Sequence, residues 1–436
     1  MGRVIRWTTG LLAAAALGLG VPQAVAAFDG FGDVTADSTY DVEIRFEVEL
    51  LGGVPDRLEL LTRTPGSEVA VVAPVEPGRD SATFVWNTAV SYVTPNTPVT
   101  YWWRATTDGD VVLSPEATIR YEDDREGLDW QRAQLGEATV HWYGNAEAQA
   151  RRFGELTADG VSQAEDLLGT QLAGPVDVFV YATREDFFGA LGPGAREWTG
   201  AAAYSELRTI FMWLGAGSAS YLEVAMLHEV THIVFFDATD NPFHEPARWL
   251  NEGIATWSES GDAGEQGGIV SFEAGGGGLF SFEAISEQFP IGDRGGQLSY
   301  AQGTTMVDMI IDRYGREAIA RVAAALRDGA TDAEALEAGT GVPADQLHAD
   351  FFSEFGVEAP EPITPDPIAA SNVDRPPSGV VDEGGVEQPG TDPDSTPGER
   401  PTDDGVVPGL LLLGVAVAVA AGASLWVARR ASGRSG

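Results

Sequence analysis

His228-Glu229-Val230-Thr231-His232 is the stretch on which the reading of this chain turns. On a helix, residues four apart lie one turn above each other on the same face, so both imidazoles reach one ion. Glu229 sits about 100° round the helix from His228, near enough to reach a water on that ion. Zinc takes three protein ligands in a catalytic site and leaves its fourth position to water. Its charge lowers the pKa of that water toward ~7, and a neighbouring carboxylate then takes the proton. Apolar residues flank the pattern, Val224-Ala225-Met226-Leu227 before it and Ile233-Val234-Phe235-Phe236 after it. Polar groups inside such a helix are expensive unless paired or ligated, which disfavours two solvated histidines on a surface helix. The chain contains no Cys, so a metal site must be built from His, Asp and Glu.

A third ligand must come from elsewhere. Downstream lies Arg248-Trp249-Leu250-Asn251-Glu252-Gly253-Ile254-Ala255, with 19 residues between His232 and Glu252. Here the chain resembles the gluzincin zinc metallopeptidases, and more closely the bacterial peptidase-MA-like proteins, secreted or anchored metallohydrolases. The strong match runs from Tyr221 to Ser260, with looser similarity from Trp130 to about residue 356. The resemblance implies a Zn2+ cofactor held by His228, His232 and Glu252, with Glu229 as general base. It implies a carboxylate at Glu259, two turns after Glu252, that orients a ligand histidine; a solvated helix end is the other reading of that residue. Tyr300, in Ser299-Tyr300-Ala301-Gln302-Gly303, occupies the place of a tyrosine that stabilises the oxyanion. The aminopeptidase signature Gly-Ala-Met-Glu-Asn is absent. Its nearest counterpart is Gly200-Ala201-Ala202-Ala203-Tyr204, which slightly favours an endopeptidase or narrow processing enzyme over an aminopeptidase. Arg208–Leu214 reads as the sheet-edge strand beside the cleft, where an extended peptide substrate would pair.

Around this centre the chain divides into several parts. Residues 28–125 read as all-β: Asp41–Leu50 alternates polar and apolar, and six further short strands follow at Arg57–Leu61, Val69–Val72, Ala82–Trp86, Thr97–Thr106, Val111–Val112 and Ala117–Tyr121. This spacing predicts a seven-stranded sandwich of immunoglobulin or fibronectin type, with Tyr101-Trp102-Trp103 in its core. Residues 128–356 read as an α+β, zincin-like metallopeptidase domain, a β lobe followed by a helical lobe. Strands are expected at Glu137–Tyr143, Pro175–Tyr181 and Arg208–Leu214. Helices are expected at Glu147–Leu168, Tyr221–Phe236, Ala247–Ser260, Tyr300–Tyr314, Glu317–Leu326 and Ala344–Phe355, with Gly-rich breaks at Gly267-Gly268 and Gly275–Gly278. His244 reads as a loop residue, and His141 and His348 as structural.

The ends carry addresses. Residues 1–27 read as a signal peptide: Arg3 and Arg6, the apolar run Leu11–Val21, then Ala24-Val25-Ala26. Residues 358–405 hold ten Pro and twelve Asp or Glu, which predicts a disordered acidic stalk. Val406–Ala428 is an uncharged apolar run of 23 residues, about 34 Å as a helix and long enough for the ~30 Å hydrocarbon layer. Arg429, Arg430 and Arg434 follow it, which places residues 429–436 in the cytoplasm and the catalytic domain outside. The expectation is an exported, single-pass membrane protein of a bacterium, acting on a peptide or protein substrate. All 26 basic residues are Arg against 66 acidic ones, a formal charge of −40, which disfavours nucleic acid as partner. The rival reading is a cell-surface binding protein whose metallo-domain is degenerate or structural; an intact Glu229 speaks against it, since a structural site has no use for a general base.

Overall fold

The computed structural model describes residues 28–360, apart from residues 68, 193–199, 242, 277 and 291–292. The expected signal peptide, the stalk beyond residue 360, the apolar run 406–428 and the tail 429–436 lie outside the described residues. Among the described residues no helix is long and apolar enough to cross a membrane. The chain divides into two units between Asp124 and Arg125.

Among its described residues the first unit is all β, with eight strands: β1 Phe28–Thr39, β2 Glu43–Gly52, β3 Arg57–Arg63, β4 Val71–Val75, β5 Ser81–Asn87, β6 Thr97–Thr107, β7 Asp110–Leu113 and β8 Ala117–Tyr121. One sheet runs β1-β2-β5; the other runs β4-β3-β6-β7, with β8 also on β6. Alternation in β2 sends Ile44, Phe46, Val48 and Leu50 into a core shared with Leu58 and Leu60 of β3 and Val99, Tyr101 and Trp103 of β6. The aromatic run on β6 therefore splits: Tyr101 and Trp103 are core, whereas Trp102 faces out beneath the Arg63 guanidinium, 5.5 Å from its ring centroid. Eight strands replace the expected seven. The addition is β1, which pairs antiparallel with β2 from Phe28 to Thr39. Its Gly30, Gly32, Asp29, Asp33 and Asp37 blur any period-two pattern, and its order comes from pairing to β2.

The second unit begins with β9 Gln131–Leu135, β10 Ala138–Trp142, α1 Glu147–Leu168, β11 Val176–Tyr181, α2 Arg184–Leu191, β12 Ala201–Tyr204 and β13 Thr209–Trp213. Helices α3 Ala219–Thr239, α4 Arg248–Ser260, α5 Gly264–Gly275, α6 Asp293–Tyr314, α7 Glu317–Arg327, α8 Asp332–Thr340 and α9 Ala344–Glu354 follow. The sheet order is β12-β13-β11-β10-β9, with β10, β11 and β13 parallel and an antiparallel strand at each edge. Val176, Val178 and Val180 of β11, with Ile210 and Met212 of β13, join α1 and α3 in one core. The opposite face carries Phe179, Tyr181 and Phe211 against Phe187 of α2.

Two expectations are corrected here. The strand within Arg208–Leu214 is interior, and the sheet edge is β12. The physical reason lies in Thr209-Ile210-Phe211-Met212: all four are buried, as suits a strand covered on both faces. Gly267 and Gly268 do not break the chain but lie inside α5; its Val270 and Ala274 are buried, and tertiary packing overrides the poor helix propensity of glycine.

Candidate metal centre

Helix α3 starts at Ser218, whose hydroxyl accepts from the Tyr221 amide at 3.2 Å. Its apolar positions, among them Met226, Val230, Ile233 and Val234, lock it against the sheet and α1. That leaves His228 and His232 on one face, with rings 4.7 Å apart and side chains 15% exposed. Helix α4 ends at Gly261, left-handed at φ 81°, whose amide closes onto the Trp257 carbonyl at 2.8 Å. It presents Glu252, with an 11% exposed side chain, to the two histidines.

Each imidazole is fixed from behind. His228 Nδ1 lies 2.9 Å from Glu259 Oε1, and His232 Nδ1 lies 2.8 Å from Asn251 Oδ1. Carboxylate and carboxamide oxygens only accept, so both Nδ1 atoms carry the proton and both Nε2 atoms expose a lone pair. Those two Nε2 atoms face each other at 3.0 Å, and each lies 3.5 Å from Glu252 Oε2. Glu252 Oε2 is buried without a hydrogen-bond donor. Three lone-pair donors converging in this way need positive charge among them, a proton or a metal ion. Zinc bonds of 2.0–2.1 Å in a tetrahedron put ligand atoms about 3.3 Å apart, so the triangle fits that ion. This is the one His/Asp/Glu cluster of metal-binding geometry among the described residues. The field agrees. Burial opposes the charge on Glu252, yet its contacts with His228 and His232 hold its pKa well below the carboxylate range. Burial likewise opposes charge on His228, and Glu252 and Glu259 overcome it and raise its pKa, so the carboxylates draw positive charge to Nε2, where a proton and a metal ion would compete.

Glu229 projects toward the sheet edge, where Oε2 accepts from the Ala203 amide of β12 at 2.8 Å. Trp213 N–H donates to the Gly200 carbonyl at 3.0 Å, so Gly200, Ala202 and Tyr204 face β13 while Ala201 and Ala203 face away from it. Tyr300 reaches the site through a backbone crossing. A Cβ on Gly253 would stand 2.5 Å from the Gly303 carbonyl carbon, and one on Gly303 would stand 2.4 Å from the Trp249 oxygen. Only glycine at both positions lets α4 and α6 touch, and Trp257 Nε1–H bonded to Asp308 Oδ1 at 2.8 Å fastens them. Tyr300, one turn before Gly303, thereby packs near His228, ring centroids 6.4 Å apart. Burial, then the Glu252 charge, pushes its phenol pKa far up, so it remains a proton donor.

The predicted residues His228, His232, Glu252, Glu229 and Tyr300 are thus gathered at one place, and Glu259 is bonded to a histidine rather than solvated. His141 pairs with Asp177 at 2.8 Å, His244 with Asp332 at 3.2 Å, and His348 stacks on Phe282 at 4.6 Å. Sequence reasoning passed over Asn251, though its place beside Glu252 on the helix facing His232 was the available signal. It also passed over Ala203, whose part is played by a backbone amide.

Against known proteins, the model of the Peptidase MA superfamily matches residues 157–354. That region is similar to the peptidase MA superfamily. The matched residues include both helices of the metal centre, α3 and α4. No curated protein sequence matches the chain. Among solved structures, it is similar to an M1 zinc metallopeptidase from Deinococcus radiodurans, at 15% identity and a TM-score of 0.36, over 79% of this chain and 97% of that one. It is also similar to an aminopeptidase N family protein from Idiomarina loihiensis, at 8% identity and a TM-score of 0.35, over 73% and 75% of the two chains.

Proposed function

We propose that the protein is a zinc-dependent peptidase in which His228, His232 and Glu252 hold the metal. The observation that carries the reading is the convergence of two Nε2 lone pairs and the unsatisfied Glu252 Oε2 beside the Glu229 carboxylate. When bound, zinc supplies a Lewis acid that polarises the scissile carbonyl and acidifies water at its open position. Glu229 accepts the proton of the attacking water and then delivers it to the leaving amine nitrogen. The Ala203 amide engages Oε2 of Glu229 and leaves Oε1 to take that proton. Tyr300 donates its hydroxyl proton as a hydrogen bond to the developing oxyanion. Glu259 and Asn251 hold the imidazoles in the tautomer that binds metal. The test is metal analysis together with hydrolysis of a peptide library: near one equivalent of zinc and chelator-sensitive cleavage are expected, and neither bound zinc nor cleavage would overturn the reading.

An endopeptidase is the form favoured. The outward groups of β12, Ala201 N–H and C=O and Ala203 C=O, form an edge onto which an extended peptide can be added. Where the aminopeptidase signature has its Glu, this strand has Ala203, so it offers no carboxylate to a free N-terminal amine. The ends support an enzyme outside the cell, tethered by Val406–Ala428 behind the acidic stalk. Truncation before Val406 should then release active protein into the medium; truncated protein that stayed with the membrane would contradict the tether.

A further inference from the structure

Arg248 stands out beside the metal centre. It lies one turn before Glu252 on α4, and its Nη2 approaches Glu252 Oε1 at 3.3 Å, opposite the oxygen that faces the histidines. A guanidinium there is unfavourable for a cation site, because it withdraws negative charge from a metal ligand and repels the ion. Nor is it a loosely waving surface charge. Its backbone amide bonds to the Ser286 carbonyl at 2.6 Å, and its guanidinium lies over the Phe289 ring at 5.0 Å. Phe289 in turn packs edge-on to Tyr300 at 5.1 Å. Arg248, Phe289 and Tyr300 therefore form a row along one side of the metal centre. The Arg248 side chain is nonetheless 46% exposed, and a guanidinium carries five N–H donors, most of them free of Glu252.

A fixed, half-exposed guanidinium beside a protonated phenol matches a carboxylate. We propose that Arg248 is a specificity-determining residue that binds a substrate carboxylate close to the scissile bond, either the peptide's C-terminus or an acidic side chain. This deepens the peptidase reading and rests on it. The placement sets the reach: one helical turn is about 5.4 Å, and an extended peptide spans about 3.3–3.6 Å per residue. The carboxylate thus lies within about two residues of the cleaved bond. On a chain of net charge −40, such a cation also offsets part of the repulsion that an anionic peptide meets.

The test measures binding rather than turnover. Zinc-loaded Glu229→Gln protein is titrated by fluorescence anisotropy with two matched peptide pairs, free acid against C-terminal amide and Glu against Gln near the cleavage position. Arg248→Gln and Arg248→Lys are then added to the same protein. With Arg248 present, the anionic member of one pair should bind about tenfold to a hundredfold tighter than its neutral partner, the range of hydrogen bonds to charged groups. Sensitivity in the first pair assigns the C-terminus, and in the second an acidic side chain. Arg248→Gln should abolish the preference and Arg248→Lys should restore part of it, with zinc content unchanged. Equal weakening of anionic and neutral peptides, or loss of zinc from both variants, would overturn the proposal. A wild-type protein that cleaves nothing while keeping the preference would instead fault the peptidase reading.

Discussion

Replacing Gly303 with alanine tests how Tyr300, the proposed oxyanion partner, is held. The new Cβ would stand 2.4 Å from the Trp249 carbonyl oxygen, whereas ordinary contacts begin at 3.4 Å, so α6 must retreat from α4 by about 1 Å (3.4 − 2.4). The obstacle is backbone and cannot rotate away. Overpacking of this kind costs about 1–3 kcal/mol, and the helix propensity gained on replacing glycine returns about 1 kcal/mol. The net loss of up to about 2 kcal/mol should lower Tm by up to about 8 °C in a domain of this size. Activity should suffer more, because Tyr300 rides on the displaced helix, and a misplacement of about 1 Å can cost about a hundredfold in rate. Gly296 lies on the same helix with nothing within 4 Å of its would-be Cβ. Gly296→Ala should therefore leave activity intact and be neutral or stabilising by about 0.5–1 kcal/mol. Thermal unfolding and kcat measured on both variants decide the matter. If Gly303→Ala behaved like Gly296→Ala in both, the crossing would not be what positions Tyr300.

Two further outcomes are expected. Tyr300→Phe should lower kcat by about 10²–10³ with zinc content unchanged. Because burial and the Glu252 charge raise its phenol pKa, the donor form persists above the usual tyrosine range, so the alkaline limb of the wild-type pH–rate profile below pH ~10 should not be its titration. An alkaline limb that disappears in Tyr300→Phe would refute this. Glu259→Gln and Asn251→Ala should each weaken zinc binding by about 10–100-fold in chelator competition, and unchanged affinity in both would deny them the task of orienting His228 and His232.

Much of this site was legible because helical periodicity is local. His228 and His232 at four residues, and Glu252 and Glu259 at seven, need only a regular helix to share a face. Helix α1 was legible end to end, Glu147–Leu168, and Gly169 stops it in a left-handed conformation at φ 65°. What escaped depends on contacts remote in the chain. Ala201-Ala202-Ala203 has little strand preference of its own, and β12 becomes a strand by pairing with β13, so the sheet edge was placed one strand too far inside. The bond from Asn251 to His232 exists only once α3 and α4 pack together. The glycines at 253 and 303 were visible as letters, but their meaning is a distance between two helices.

The central claim is that this cluster is a working hydrolytic centre, and Glu229→Gln addresses it most directly. The amide is close to isosteric and can still accept from the Ala203 amide through its carbonyl oxygen, so fold and zinc binding should survive. It cannot take a proton from water, and general-base catalysis of this kind is worth about 10²–10⁴ in rate. Side-by-side measurement of bound zinc and peptide hydrolysis should give near one equivalent in both proteins and a rate loss of about that size in the variant. Hydrolysis at the wild-type rate by zinc-loaded Glu229→Gln would contradict the account.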